Sequence, residues 1–213
     1  MIAEISVSTA KGTVFAPPSK SMAHRLLICA ALSKGKSKIY NVALSRDITA
    51  TIICLTSLGA KFEVFDDFIA VQGINIANIK TPVKANCIES GSTLRFMIPL
   101  MLLTGVDCCL TGSEYLFSRP LSVYEDIALN NYFKFIKSNN QIELQGKLKS
   151  GTYEIDGDIS SQFISGLLFA LPLLSGDSFI KINGKLESRP YVDLTIDALR
   201  QFGVTAVLND NVI

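Results

Sequence analysis

Three almost wholly apolar runs punctuate the chain, Leu26–Leu32, Leu94–Leu103 and Phe163–Leu174. Each follows a stretch of small hydroxyl residues: Ser19-Lys20-Ser21, Ser90-Gly91-Ser92-Thr93 and Ser160-Ser161-Gln162. Serine and threonine at such a boundary accept from the free N–H groups of a first helical turn, so each run is predicted to be a capped helix, the first over about Ser21–Leu32. Apolar character on every side predicts that these helices are buried. Between them lie amphipathic stretches. Ile48, Ile52, Leu55 and Leu58 fall on one stripe, as do Val192, Ile196, Leu199 and Phe202, so these helices should lie against sheets with one face in water. Their predicted starts are Ser45-Arg46-Asp47, Ser118-Arg119-Pro120 and Ser188-Arg189-Pro190-Tyr191. Strands are expected at Ser37–Val42, Asp107–Leu110 and Ser178–Ile182, with a hairpin over Lys61–Val71. Lys134, Lys137 and the neighbouring asparagines read as a solvated loop.

The punctuation is periodic. Gly35, Gly105 and Gly176 follow the apolar runs at spacings of 70 and 71 residues, and Gly59, Asn131 and Gly203 close the amphipathic helices at spacings of 72. Glycine, and asparagine after it, is the residue that most readily takes the left-handed conformation at a helix end. Three copies of a strand/helix unit of about 70 residues are therefore expected. The predicted organisation is an arm over residues 1–12 and one domain of three repeats, about 13–79, 80–150 and 151–213. The fold class is α/β (α+β), a pseudo-threefold domain with buried parallel helices inside outer sheets. Pro99 and Pro172 fall inside buried runs, where each removes a helical hydrogen bond unless the helix kinks or begins late.

At 48% hydrophobic and 18% charged, the 213 residues support a sizeable core and exclude disorder. A net charge of +1 argues against general nucleic-acid binding. Cys29, Cys54, Cys87, Cys108 and Cys109 are odd in number and sit in apolar surroundings, which predicts reduced, buried thiols in a cytoplasmic protein. With one histidine, His24, no metal site is expected. Met1-Ile2-Ala3-Glu4 is no secretory signal, and the longest apolar run is too short to span a bilayer, so no membrane partner is expected.

The chemistry should lie at the helix starts. If the three buried helices run parallel, three positive dipole ends meet on one face, together with hydroxyl groups, Lys20, Arg25 and Arg119. Such a face suits a multiply anionic, hydroxyl-rich small molecule. Gly91 fits there because a missing side chain lets a ligand approach the backbone. Capping alone explains any one start, but Lys20, Arg25 and Gln162 together do not follow from capping. Asp47 is expected to hold an arginine in place, and His24 to have a capping or surface role.

The motifs Pro-x-Ser-Lys-Ser-x-x-x-Arg, Gly-Ser-Thr-x-x-Arg, Arg-Pro, Asp-Gly-x-x-Ser-Ser-Gln-Phe and Ser-x-Pro-Tyr occur here in one order. They resemble the 5-enolpyruvylshikimate-3-phosphate (EPSP) synthases over nearly the whole chain. The resemblance implies transfer of the carboxyvinyl group of phosphoenolpyruvate to the 5-hydroxyl of shikimate 3-phosphate, with release of phosphate and no cofactor. By motif, Lys20, Ser21, Arg25, Ser160, Ser161, Gln162, Ser188 and Tyr191 resemble contacts to shikimate 3-phosphate. Lys20, Gly91, Arg119 and Gln162 resemble the phosphoenolpyruvate side, where glyphosate also binds in this family. The chain departs from the pattern in three places: Pro18 replaces a glycine, His24 an asparagine, and Glu89-Ser90-Gly91-Ser92 an Asn-Ala-Gly-Thr. The family folds as two such domains, so the resemblance covers an N-terminal half whose partner would be the C-terminal half, carrying the acid/base residues. Two other readings remain open: half of a UDP-N-acetylglucosamine enolpyruvyl transferase, and a non-catalytic anion-binding module.

Overall fold

The structure is a computed structural model and describes residues 4, 9 and 11–213. The arm expected over 1–12 lies largely outside the described residues. The apolar runs form α1 (Lys20–Leu32), α3 (Gly91–Thr104) and α6 (Ser161–Ala170), and the amphipathic stretches form α2 (Arg46–Ser57), α5 (Ser122–Asn131) and α7 (Arg189–Gln201), with a one-turn α4 (Glu114–Phe117) before α5. In α3 every residue except Ser92 is buried, and in α6 every residue except Gln162. α1 departs from this: Met22, Leu26 and Leu32 are half-exposed.

The strands make three sheets outside these helices. β1 (Lys36–Tyr40), β2 (Lys61–Val64) and β3 (Phe68–Gln72) form an antiparallel sheet in the order β1-β3-β2. β4 (Val83–Asn86), β5 (Cys108–Thr111), β6 (Lys134–Lys137) and β7 (Gln141–Gln145) form a mixed sheet in the order β4-β5-β7-β6. β8 (Thr152–Asp156) pairs in parallel with β9 (Phe179–Asn183). Lys134–Lys137 is thus an edge strand and not a solvated loop. Phe135, opposite Leu144 across the β6–β7 register, gives it a half-buried side that the flanking lysines mask in the sequence.

The helix ends follow the glycine spacing only in part. Gly105 is the left-handed cap of α3, with φ 71°. α1 ends instead on an extended Ser33, and Gly35 takes positive φ two residues later. α5 runs through Asn131, and Tyr132 takes the left-handed position, φ 59°. α6 stops at Ala170, well before Gly176, because the run passes into a 3-10 turn over Leu171–Leu173 that contains Pro172.

Pro99 is accommodated differently. It lacks the N–H that would bond to the Arg95 carbonyl, four residues earlier in α3. The Tyr124 hydroxyl of α5 donates to that carbonyl instead, at 2.6 Å. Gly166 of α6 lets the backbones approach at this point, since a Cβ there would stand 2.5 Å from the Tyr124 oxygen and 2.7 Å from the Arg95 carbonyl oxygen.

Candidate anion-binding face

The buried helices run with their starts on one face. Arg25, Phe96 and Ser165 each lie about one turn inside α1, α3 and α6, and they meet. The Arg25 guanidinium is 5.7 Å from the Phe96 ring centroid, and its Nη2 donates to the Ser165 hydroxyl at 3.2 Å. The caps are Ser19 for α1, Ser90 for α3 and Ser160 for α6, each accepting from a first-turn N–H. The start of α7 joins this face through Arg25, which donates to the Tyr191 carbonyl at 2.8 Å and to the Thr195 hydroxyl at 2.8 Å.

Lys20 stands half-exposed at the mouth and is paired with Asp47 at 2.5 Å. Asp47 therefore holds a lysine, not an arginine. Burial works against its charged form, but the bond to Lys20 and the charges of Lys20 and His24 outweigh it and keep the carboxyl below its ordinary range.

Arg25 serves mainly as a strut. It is 3% exposed, and its bonds to Thr195, Ser165, the Tyr191 carbonyl and the Ser21 carbonyl engage four of its five N–H groups. Burial lowers its pKa to about 10, so it stays a cation at neutral pH. One N–H remains for a ligand. Ser21, half-buried in the first turn of α1, contributes its carbonyl to this strut.

Two arginines frame the start of α3. A Cβ on Gly91 would lie 2.7 Å from Nη1 of Arg119 and 3.0 Å from Nη1 of Arg95. Arg119 does not open a helix as expected. It lies in the link between α4 and α5, because a residue before proline is driven out of helical conformation, and its guanidinium rests over the Tyr115 ring at 5.1 Å. Arg95 carries no role in the sequence reading. It is buried, donates to Gln162 Oε1 at 3.0 Å and to the Pro120 carbonyl at 3.1 Å, and so ties α6 and the Arg119 link to α3. Gln162 in turn donates to the Ser92 hydroxyl at 2.9 Å. Its fixed direction is a product of Arg95, and only the arginine in Gly-Ser-Thr-x-x-Arg signals this.

Ser160 is exposed, Ser161 buried, and Ser188 half-buried at the start of α7 with no capping bond from its side chain. Tyr191 is 49% exposed, and its ring stands 5.9 Å from the Arg25 guanidinium. The turn leading into α3 carries Ile88 at φ 55°, a conformation that costs a β-branched residue about 1–2 kcal/mol. The Asn86 side chain accepts from the Ile88 N–H at 2.8 Å, and the Ile88 carbonyl accepts from the Ser113 N–H at 2.8 Å, which holds the turn and places Glu89 beside the helix start. An apolar hollow lined by Cys29, Leu32, Phe169 and Phe202 lies at the other ends of α1, α6 and α7. Among the described residues no three histidine, cysteine, aspartate or glutamate side chains cluster as metal ligands, and no helix is long and apolar enough to cross a membrane.

Known proteins resemble this chain along most of its length. A 3-phosphoshikimate 1-carboxyvinyltransferase of Clostridium kluyveri is 49% identical over 202 residues, covering 94% of this chain and 47% of the relative. One from Clostridioides difficile is 43% identical over 219 residues, covering 98% of this chain and 50% of the relative. Among solved structures, the EPSP synthase of Acinetobacter baumannii superposes with a TM-score of 0.79 over 94% of this chain and 46% of that one, at 20% identity, and so shares the fold. The chain spans about half the length of the curated relatives it matches. A sequence model of the EPSP synthase (3-phosphoshikimate 1-carboxyvinyltransferase) family matches residues 6–210, and the chain belongs to that family.

Proposed function

We propose that this chain is the N-terminal, shikimate 3-phosphate-binding half of a transferase that moves the carboxyvinyl group of phosphoenolpyruvate to the 5-hydroxyl of shikimate 3-phosphate. The observation that carries the reading is the meeting of three capped helix starts on one face with Lys20, Gln162 and the Arg119–Gly91 notch. In this reading Ser160, Ser161 and Ser188 receive the phosphate of shikimate 3-phosphate, where the start of α6 adds its dipole. Tyr191 packs on the ring, and Ser21 with the last N–H of Arg25 holds its polar edge. Lys20 and Arg119 neutralise phosphoenolpyruvate, with Gly91 leaving room for it and Gln162 reaching both ligands.

The reaction is an addition followed by an elimination. The phosphoenolpyruvate methylene takes a proton as the 5-hydroxyl oxygen gives up its own and bonds to the adjacent carbon, and the tetrahedral adduct then loses phosphate together with a proton of the new methyl group, which restores the vinyl double bond. The proton-transfer groups are expected in the other half, so this half contributes positioning and charge neutralisation. Titration calorimetry on the 213-residue chain is expected to show weak heat with shikimate 3-phosphate, none with UDP-N-acetylglucosamine, and no turnover. Absence of heat with shikimate 3-phosphate, or robust turnover without a second half, would overturn the reading. Restored turnover on adding the other half excludes a non-catalytic module.

Gly91→Ala tests the notch separately. The atoms its methyl meets are the far ends of arginine side chains, which move aside without unfolding the helix. Displacing Arg119 is expected to raise the KM for phosphoenolpyruvate about tenfold in the two-half enzyme, equivalent to about 1.4 kcal/mol. The melting temperature should move by no more than about 2 °C. A KM equal to wild type would remove Arg119 from the phosphoenolpyruvate side.

A further inference from the structure

We infer that Tyr115 is a positioning residue for Arg119: its ring carries the guanidinium beside the Gly91 notch and leaves the charge and the N–H fork free for an anion. The other basic side chains at the face are committed. Lys20 is paired with Asp47 at 2.5 Å. Arg25 gives four of its five N–H groups to the protein. Arg95 donates to the carbonyls of Gly91 and Pro120 and to Gln162. His24 neither caps a helix nor sits at the surface: it is 2% exposed, with Nδ1 2.8 Å from the Thr51 hydroxyl oxygen. Arg119 differs. Among the described residues it enters no ion pair and its guanidinium donates no hydrogen bond. What it meets is the Tyr115 ring, 5.1 Å from guanidinium carbon to centroid.

The residues around Tyr115 fix the ring. Leu116 and Phe117 are buried and pin the single turn of α4 to the core, and Ser113 caps it by accepting from the Leu116 N–H at 3.1 Å. Gly112 lets this turn close on the link into α3. A Cβ there would stand 2.9 Å from the Ile88 carbonyl oxygen, which accepts from the Ser113 N–H. α4 and the approach to Gly91 are thus one unit. Tyr115 is left 62% exposed. The chain keeps turning after it, with bonds from the Ser118 N–H to the Glu114 carbonyl and from the Arg119 N–H to the Leu116 carbonyl. Four residues on, that turning brings Arg119 back to the side of Tyr115.

A ring suits this task better than a carboxylate. A carboxylate would occupy the donors and cancel the charge that an incoming anion needs. An aromatic face attracts a guanidinium within roughly 6 Å of its centroid, and the in-plane N–H groups keep their capacity. With an alkyl side chain in its place Arg119 has no fixed rest position. The ligand must then order it, which lowers affinity. The pose of Arg119 rests on geometry alone, and its effect on phosphoenolpyruvate rests on the proposed function.

Two measurements keep these apart. In the 213-residue chain the Cδ protons of Arg119, assigned by their loss in Arg119→Lys, are expected upfield of those of free arginine, because of the ring current. Tyr115→Leu should remove that shift and Tyr115→Phe should keep it. Its absence in wild type, or its survival in Tyr115→Leu, would overturn the inference whatever the enzyme binds. In the two-half enzyme Tyr115→Leu is expected to raise the KM for phosphoenolpyruvate about two- to fivefold at unchanged kcat, and Tyr115→Phe to recover most of the loss. The melting temperature of Tyr115→Leu should stay within about 2 °C of wild type, and a larger drop would assign the effect to lost packing instead. If Arg119→Ala raises this KM and Tyr115→Leu does not, the positioning role falls and the proposed function stands. If Arg119→Ala leaves it unchanged, Arg119 leaves the phosphoenolpyruvate side and the role of Tyr115 falls with it.

Discussion

Gly166→Ala is expected to destabilise the chain by about 3 kcal/mol, from overpacking and a lost buried bond together. For a chain of this size that corresponds to a melting temperature lower by roughly 6–12 °C. The added methyl has nowhere to go. It would stand 2.5 Å from the Tyr124 oxygen and 2.7 Å from the Arg95 carbonyl oxygen, the two atoms of the bond that compensates for Pro99. Separating α3 from α6 relieves the clash only by weakening the packing of the two most buried helices. If the helices hold, Tyr124 gives up its bond inside the core, and a buried unpaired hydroxyl and carbonyl remain. A double-mutant cycle with Tyr124→Phe separates the two, because the phenyl ring removes the bond but leaves most of the contact. The alanine should cost less in the Tyr124→Phe background. Thermal or urea unfolding of the four proteins measures this, and a cost below about 1 kcal/mol for Gly166→Ala would mean that the helices are not held this closely.

Arg25→Ala is expected to lower stability by about 3 kcal/mol and to abolish shikimate 3-phosphate binding. The stability loss comes chiefly from the void and from cutting the tie between α1, α6 and α7. The stranded acceptors are partly satisfied by one another, since Thr195 donates to the Tyr191 carbonyl at 2.9 Å and lies 2.8 Å from the Ser165 hydroxyl. That keeps the figure from rising further. Binding should suffer more than folding, because Ser188 and Tyr191 are placed at the face by the start of α7, which Arg25 anchors. Arg25→Lys is expected to recover part of the stability and little of the affinity, as one ammonium group cannot reach Thr195 and the Ser21 and Tyr191 carbonyls together. Urea unfolding and calorimetry check the pair. Wild-type affinity in Arg25→Ala would show that Arg25 neither touches the ligand nor orders the face.

The parts that were legible in the sequence are those set by local chemistry. Serine before an apolar run gave the caps of α1, α3 and α6, because the capping bond needs only residues two or three apart. The amphipathic stripe of α7 stood out for the same reason. Illegible were the features that depend on partners far along the chain. Nothing near Pro99 announces that Tyr124 will fill its missing bond, and nothing near Arg95 announces Gln162, 67 residues on. The periodic glycines and the asparagine misled in detail. Helix length is set by where packing and proline stop it, so α6 ends at Pro172's turn, and α5 runs one residue further to leave Tyr132 in the left-handed position. At the site, the motif residues could be named, but the division of labour could not. Arg25 reads as a ligand contact and is mostly a strut, while Asp47 and Arg95 do the positioning.

The parallel pairs β4–β5 and β8–β9 each enclose a buried helix, α3 in the first and α6 in the second. Neither pair can zip up as a local hairpin. The chain must first travel through a helix that is apolar on all sides, and α3 and α6 find their cover largely in each other. Assembly therefore has a built-in order, with association of two distant helices preceding closure of either parallel ladder. Folding of this kind is governed by loop-closure entropy and runs slower than that of helical bundles of equal stability. Until the two helices meet, the apolar side chains of both stand in water, and that interval is the protein's exposure to aggregation during synthesis.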